Sequence, residues 1–185
     1  ADGGTITWND VRIDDPASFM IPPRSAYTPQ VPRLFSMTLR DNLLLGAQYT
    51  DDELRDAVVA AVLEPDLADM PDGLDTMVGP RGVRLSGGQI QRAAAARMFL
   101  RRPDLLVFDD LSSALDVETE AALWDRLFAE GSTHTALVVS NRRTVLERAD
   151  RIVLLVDGSV AAVGTATELA RHPEFRRLST GDSGT

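Results

Sequence analysis

The chain contains no lysine and no cysteine; all 19 of its basic residues are arginine. Without lysine there is no Gly-x-x-x-x-Gly-Lys-Ser/Thr loop, whose lysine reaches the β- and γ-phosphates of a nucleotide. Without cysteine there is no disulfide framework and no thiolate metal site. Positive charge is scarce: 28 acidic residues outweigh the arginines, for a formal charge of −9 and a pI near 4.7. That balance argues against a nucleic-acid partner held by phosphate neutralisation. No apolar run approaches the roughly 20 residues that a membrane-spanning helix needs. Internal repeats and low-complexity segments are also missing. What remains is a chain of 185 residues, long enough for one domain with a sizeable core.

Two stretches organise it. In Leu85-Ser86-Gly87-Gly88-Gln89, Ser86 followed three residues later by Gln89 has capping-box spacing, and the run 90–100 behind it is rich in helix formers. Gly87 and Gly88 in the first turn leave backbone N–H groups uncovered at the positive end of a helix dipole, an arrangement suited to a phosphate. The second stretch, Leu105-Leu106-Val107-Phe108-Asp109-Asp110, is an apolar run ending in two carboxylates. It predicts a central parallel strand buried on both faces. Carboxylates at its C-terminal end lie where open α/β sheets place ligands.

In this order and about twenty residues apart, the two stretches resemble the ATPase domain of ABC transporters. Residues 85–89 match that family's signature loop, and Leu105 to Asp109 its Walker B strand. Ser113-Ala114-Leu115-Asp116 matches its D-loop, and Gln30 in Tyr27-Thr28-Pro29-Gln30 its Q-loop. The resemblance runs from Gly3 to about Leu178. It implies an α/β fold: a partial P-loop NTPase core, a mostly parallel sheet with flanking helices, carrying an inserted α-helical subdomain. The expected divisions are 1–38 for the partial core with the Q-loop, 39–101 for the helical subdomain, 102–179 for the rest of the core, and 180–185 for a tail.

Along the chain, Thr5 to Trp8 alternates as a strand and Asn9-Asp10 reads as a turn. In the resembled family this passage follows the Walker A helix, so the chain reads as a fragment that starts downstream of it. Ser25 to Thr28 predicts a short strand. Arg33 to Asn42 resembles the exporter subtype. Thr50 with Glu53 is a second capping box, and Leu54, Val58, Ala61 and Val62 repeat at helical spacing up to Pro65, which is expected to end that helix. Val78 to Gly82 occupies the place of the exporter X-loop, which contacts the membrane partner, with Pro80 where glutamate is common. Asp116 can cap a helix over 117–130 stopped by Gly131. Thr135 to Ser140 reads as another buried strand, and Ile152 to Val163 as a hairpin with a type I′ turn at Asp157-Gly158. A short terminal helix starts over 167–171.

The resemblance also assigns roles. Ser86, Gly87, Gly88, Gln89 and Asp116 would touch ATP, Asp109 and Gln30 would serve Mg²⁺, and Gln30, Asp110 and Asn141 would act in hydrolysis. Two of these depart from the family pattern. Asp110 stands where a glutamate base is usual, one methylene shorter; a misplacement on the order of 1 Å can cost about a hundredfold in rate. Asn141, in Val138-Val139-Ser140-Asn141-Arg142, stands where a histidine is usual, and cannot carry positive charge. The expectation is the ATPase portion of an ABC exporter at the cytoplasmic face of the membrane. Its partners would be a second nucleotide-binding domain and a transmembrane domain, and it would be inactive alone. The alternative is a degenerate, non-catalytic subunit that lends its signature loop to a partner's site. DNA-repair ATPases share a similar loop but need a long coiled coil, which this chain does not have.

Overall fold

The computed structural model describes residues 3–111, 114–129 and 134–179. They fall into two compact units, Ala1–Val138 and Val139–Thr185, taken in turn.

The first unit opens with a hairpin, β1 (Thr7–Trp8) and β2 (Val11–Arg12). Asn9 and Asp10 turn it with φ of 47° and 64°, which Asn and Asp tolerate better than other side chains. A short helix α1 (Pro16–Phe19) follows, and Trp8 packs edge-on against Phe19 at 5.6 Å. The sheet has the order β3 (Ser25–Thr28), β4 (Leu105–Asp109), β5 (Thr135–Val139). β3 and β4 run parallel, with Ser25 beside Leu105 and Thr28 beside Phe108. The apolar run is therefore the middle strand, as expected.

Its burial is one-sided. Leu106 and Phe108 are fully buried, while Leu105, Val107 and Asp109 are half-buried. β5 departs further from the expectation of a buried strand, since Leu137 and Val139 are 58% and 57% exposed. A hydrophobic run alone does not report whether a covering layer lies on both faces.

Between β3 and β4 the chain is helical: α2 (Leu39–Leu44), α3 (Asp51–Ala60), α4 (Glu64–Ala68), a 3₁₀ turn (Gly73–Asp75) and α5 (Gly87–Leu100). Both capping boxes form, Thr50 with Glu53 and Ser86 with Gln89. Pro65 does not end α3. The helix stops at Ala60, Val62 turns the chain at φ 56°, and Pro65 sits in the first turn of α4. Its missing N–H costs nothing there, because first-turn donors have no intrahelical partner.

α5 lies at the centre. Ala93, Ala94, Ala95 and Ala96 are all buried, so α2, α3 and β3 approach it closely. Thr28 donates to Met98 Sδ at 3.4 Å, fixing α5 against β3. α6 (Val117–Leu127) is capped by Asp116 and lays Trp124 edge-on against Phe108 at 5.3 Å. It ends at Leu127 with Phe128 as its cap, three residues short of the expected 130. The expected stop, Gly131, and the tail 180–185 lie outside the described residues.

The second unit holds α7 (Arg143–Leu146) and a hairpin of β6 (Ile152–Val156) and β7 (Ser159–Gly164). Asp157 and Gly158 both have positive φ, 47° and 75°, which makes the turn type I′ as expected. The single terminal helix becomes two, α8 (Ala166–Leu169) behind a Thr165–Glu168 capping box and α9 (Pro173–Ser179). Ile152, Leu154, Leu169 and Phe175 form this unit's core. No helix among the described residues is long and apolar enough to cross a membrane.

The helix caps give the fold a pH signature. Glu53, Asp116 and Glu168 are held below the usual carboxylate range, chiefly by backbone N–H donors of Thr50, Thr119 and Thr165. A folded-state pKa below the unfolded one stabilises above the unfolded value and is lost as pH falls through the folded value. The melting temperature should therefore hold near neutrality and fall as pH drops below about 4. Calorimetry across that range checks it; a melting temperature that rises on acidification contradicts it.

Candidate functional site

The first wall of the site is the N-terminus of α5. Ser86 Oγ accepts from Gln89 N at 3.2 Å, and Gln89 Oε1 accepts from Ser86 N at 2.8 Å. The Gln89 amide is held from its other side as well: Nε2 donates to Asp66 Oδ1 at 2.9 Å. Asp66 also takes two bonds from the Arg92 guanidinium, at 3.1 and 2.7 Å. The two side chains are 12% and 13% exposed, so this is a nearly buried, two-pronged ion pair that ties α4 to the first turns of α5.

The two glycines part company. Gly87 is exposed; a Cβ there would sit 3.3 Å from the Ala114 methyl. Gly88 is buried, and a Cβ would fall 2.9 Å from the Ala114 carbonyl oxygen. Gly88 is thus needed for the close approach of residues 114–115, whatever ligand α5 meets. The exposed elements of the loop are Ser86 and Gly87.

The second wall is the end of β4. Tyr27 is the in-register neighbour of Val107, and its hydroxyl donates to Asp109 Oδ2 at 3.0 Å. That carboxylate raises the Tyr27 phenol above its ordinary pKa. Asp110 leaves the strand at φ 50°. Gln30, two residues beyond β3, donates from Nε2 to Asp110 Oδ2 at 3.2 Å. Three of the sequence-predicted residues, Gln30, Asp109 and Asp110, are therefore brought together. Asp116 spends its carboxylate on Thr119, accepting from both N and Oγ1 at 2.8 Å. Asn141 is exposed in the second unit, between β5 and α7. Ser113 lies outside the described residues.

Among the described residues no cluster of three or more His, Asp or Glu side chains could hold a metal by itself. Mg²⁺ asks for less: one or two carboxylates completed by substrate phosphates and water. Asp109 fits that set as its carboxylate, and Gln30 lies beside it at Asp110. A cleft of about 760 Å³ beside α3 and α6 contains none of these residues, and its Arg102 and Arg126 are already paired with Glu53 and Glu64.

A sequence profile of ABC transporters matches residues 1–113. The chain belongs to the ABC transporter family. It is 40% identical over 170 residues to the uncharacterized ABC transporter ATP-binding protein YwjA of Bacillus subtilis, covering 91% of this chain and 30% of that one. It is 39% identical over 175 residues to the probable multidrug resistance ABC transporter ATP-binding/permease protein YheI of the same organism, covering 94% and 30%. Among solved structures, a bacterial Atm1-family ABC exporter with ATP bound superposes with a TM-score of 0.77 at 30% identity, over 86% of this chain and 28% of that one. The chain thus spans under a third of the length of these relatives. Its α/β fold is that of the ABC transporter P-loop NTPase domain.

Sequence reasoning missed Asp66, Arg92, Tyr27 and Gln91 in this ABC transporter chain. For Gln91 a signal existed: with Ala94, Ala95 and Met98 it falls on one helical face, and all four are buried. A polar residue in an apolar stripe asks for a partner. For Asp66 there was none, since its partners lie 23 and 26 residues away.

Asp66→Ala leaves Arg92 unpaired in a nearly dry site and should destabilise the chain by about 3 kcal/mol. Gly88→Ala forces residues 114–115 outward and should cost about 1–3 kcal/mol, more than Gly87→Ala. Denaturant titration of the three variants tests the order; Gly87→Ala as the most harmful would refute the packing role of Gly88.

Proposed function

We propose that this chain is the ATP-binding and hydrolysing portion of an ABC exporter, working with a second nucleotide-binding domain and a transmembrane domain at the cytoplasmic face of a membrane. The observation that carries this reading is the meeting of Gln30, Asp109 and Asp110 at the end of β4, in a chain that also presents Ser86 and Gly87 at the head of a 14-residue helix. Mg²⁺, when bound, would neutralise phosphate charge and align the transferred group. Asp109 would hold it, with its other face steadied by Tyr27. Asp110 would orient the attacking water and accept its proton. Oδ2 is engaged by Gln30, and Oδ1 has no partner among the described residues. Ser86 and Gly87 would meet a nucleotide held by the partner domain, through a hydroxyl and backbone N–H groups at a helix N-terminus.

A membrane partner has a surface to meet. A depression of about 520 Å³ is lined by Phe35, Met37, Asp41, Leu45 and Gly46. The 78–82 loop is laced to the same segment, since Val78 N donates to Met37 O at 3.0 Å. Pro80 sits at the tip of a turn closed by Gly82 N to Gly79 O at 3.0 Å. Phe35, Leu45 and Met77 are exposed there, beside the exposed carboxylate of Asp41.

The second reading is a subunit that lends its signature loop and turns over ATP slowly or not at all. Asp110 and Asn141 favour it: the first is one methylene shorter than the glutamate usual in the family, and the second cannot carry the positive charge of the usual histidine. With no lysine to reach the phosphates, the 185-residue chain alone should bind Mg-ATP more weakly than micromolar. In the assembled transporter, Asp110→Glu with Asn141→His should raise turnover at this site about tenfold or more. Ser86→Ala should instead slow the partner's site. Site-resolved nucleotide trapping separates the readings. If the unaltered site already matches its partner's rate, the degenerate reading fails.

A further inference from the structure

The Gln91 side chain is 3% exposed, on a helix face otherwise built of alanine and methionine. Its Oε1 accepts from Ala114 N at 3.1 Å, and its Nε2 donates to the Gln30 carbonyl at 3.5 Å. Those two loops lie 61 and 23 residues from it in sequence. Each belongs to the candidate site: Gln30 bonds Asp110 through its own side chain, and Ala114 opens the segment that packs on Gly87 and Gly88.

We propose that Gln91 is a positioning residue that couples the two loops, so that the place of Gln30 against Asp110 depends on the place of Ala114 beside the head of α5. This rests on the function proposed above. The geometry supplies the reason. A planar amide can serve both loops only while they keep one separation. The bond to Gln30 is already at the limit of hydrogen-bond length, so a shift on the order of 1 Å in either loop releases it. The bond to Ala114 is the firmer one. Gln91 therefore holds the Ala114 side and lets go of Gln30 first.

The test uses the assembled full-length transporter and steady-state Mg-ATP hydrolysis. Gln91→Met should lower kcat about tenfold while KM stays within about twofold, because it removes alignment and not nucleotide contact. Gln91→Glu keeps the acceptor for Ala114 N but sets a carboxylate against the Gln30 carbonyl, so kcat should fall there as well. Combined with Gln30→Ala, Gln91→Met should lower kcat no further than the worse single change. Additive losses, or an unchanged kcat in Gln91→Met, overturn the coupling.

Asp109→Asn in the same assay tests the function itself; if it leaves the rate unchanged, that reading fails. The Gln91 inference is then decided on the 185-residue chain by amide exchange. The Ala114 amide should exchange about tenfold faster in Gln91→Met and at the native rate in Gln91→Glu. Equal exchange in all three proteins overturns it.

Discussion

Everything else in the first unit depends on how thin α5 is. Four consecutive buried alanines let two helices and a strand close on one helix from different sides. A branched side chain at any of them would have to push a neighbour away, and packed interiors yield poorly to such insertion. The long side chains of α5 are spent at its edges. Arg97 donates to the Asn42 carbonyl at 2.8 Å, and Arg101 donates to the carbonyls of Leu43 and Leu44 at 3.2 and 2.9 Å. These are the last carbonyls of α2, which have no intrahelical donors. One helix thus serves as core, as cap for its neighbour and as the stem of the exposed loop at its head.

That arrangement makes the two walls of the site unequal in stiffness. The head of α5 is determined several times over: by the Ser86–Gln89 box, by the Asp66–Arg92 pair behind it and by the contact of Gly88 with Ala114. Among the described residues the Asp110 side chain has a single hydrogen bond, at 3.2 Å from an exposed glutamine, on backbone in the left-handed region. A group that must present fixed dipoles to a ligand benefits from the first kind of support. A group that must move into place with its loop is better served by the second. The fold therefore sets a wall held by several contacts beside one held by few.

Much of this was legible in the sequence. The capping boxes at Thr50 and Ser86, the turns at Asn9-Asp10 and Asp157-Gly158, and β4 as a middle strand all follow from local chemistry. The errors share a cause. Pro65 was expected to stop a helix, but proline is neutral in a first turn, and only the left-handed turn at Val62 reveals that a new helix starts. β5 was expected to be buried, but an apolar strand records what it prefers and not what covers it. Motif alone marked Gln30, Asp109 and Asp110, which the fold brings together, while nothing marked Asp66 and Tyr27, because their partners are distant in sequence. Gln91 lay between these cases: its helical phase marked it as buried, and only the fold says to what it is bonded.

The two departures from the family pattern do not weigh the same. Asp110 sits at φ 50°, where a short side chain that can bond its own backbone is better tolerated than a glutamate. Its identity therefore has a conformational reason independent of any role in hydrolysis. Asn141 has no such reason. It is exposed and is not among the residues with positive φ. Histidine is usual at that position in the resembled family, and asparagine cannot carry positive charge. Of the two departures, only Asp110 has a backbone conformation that accounts for it.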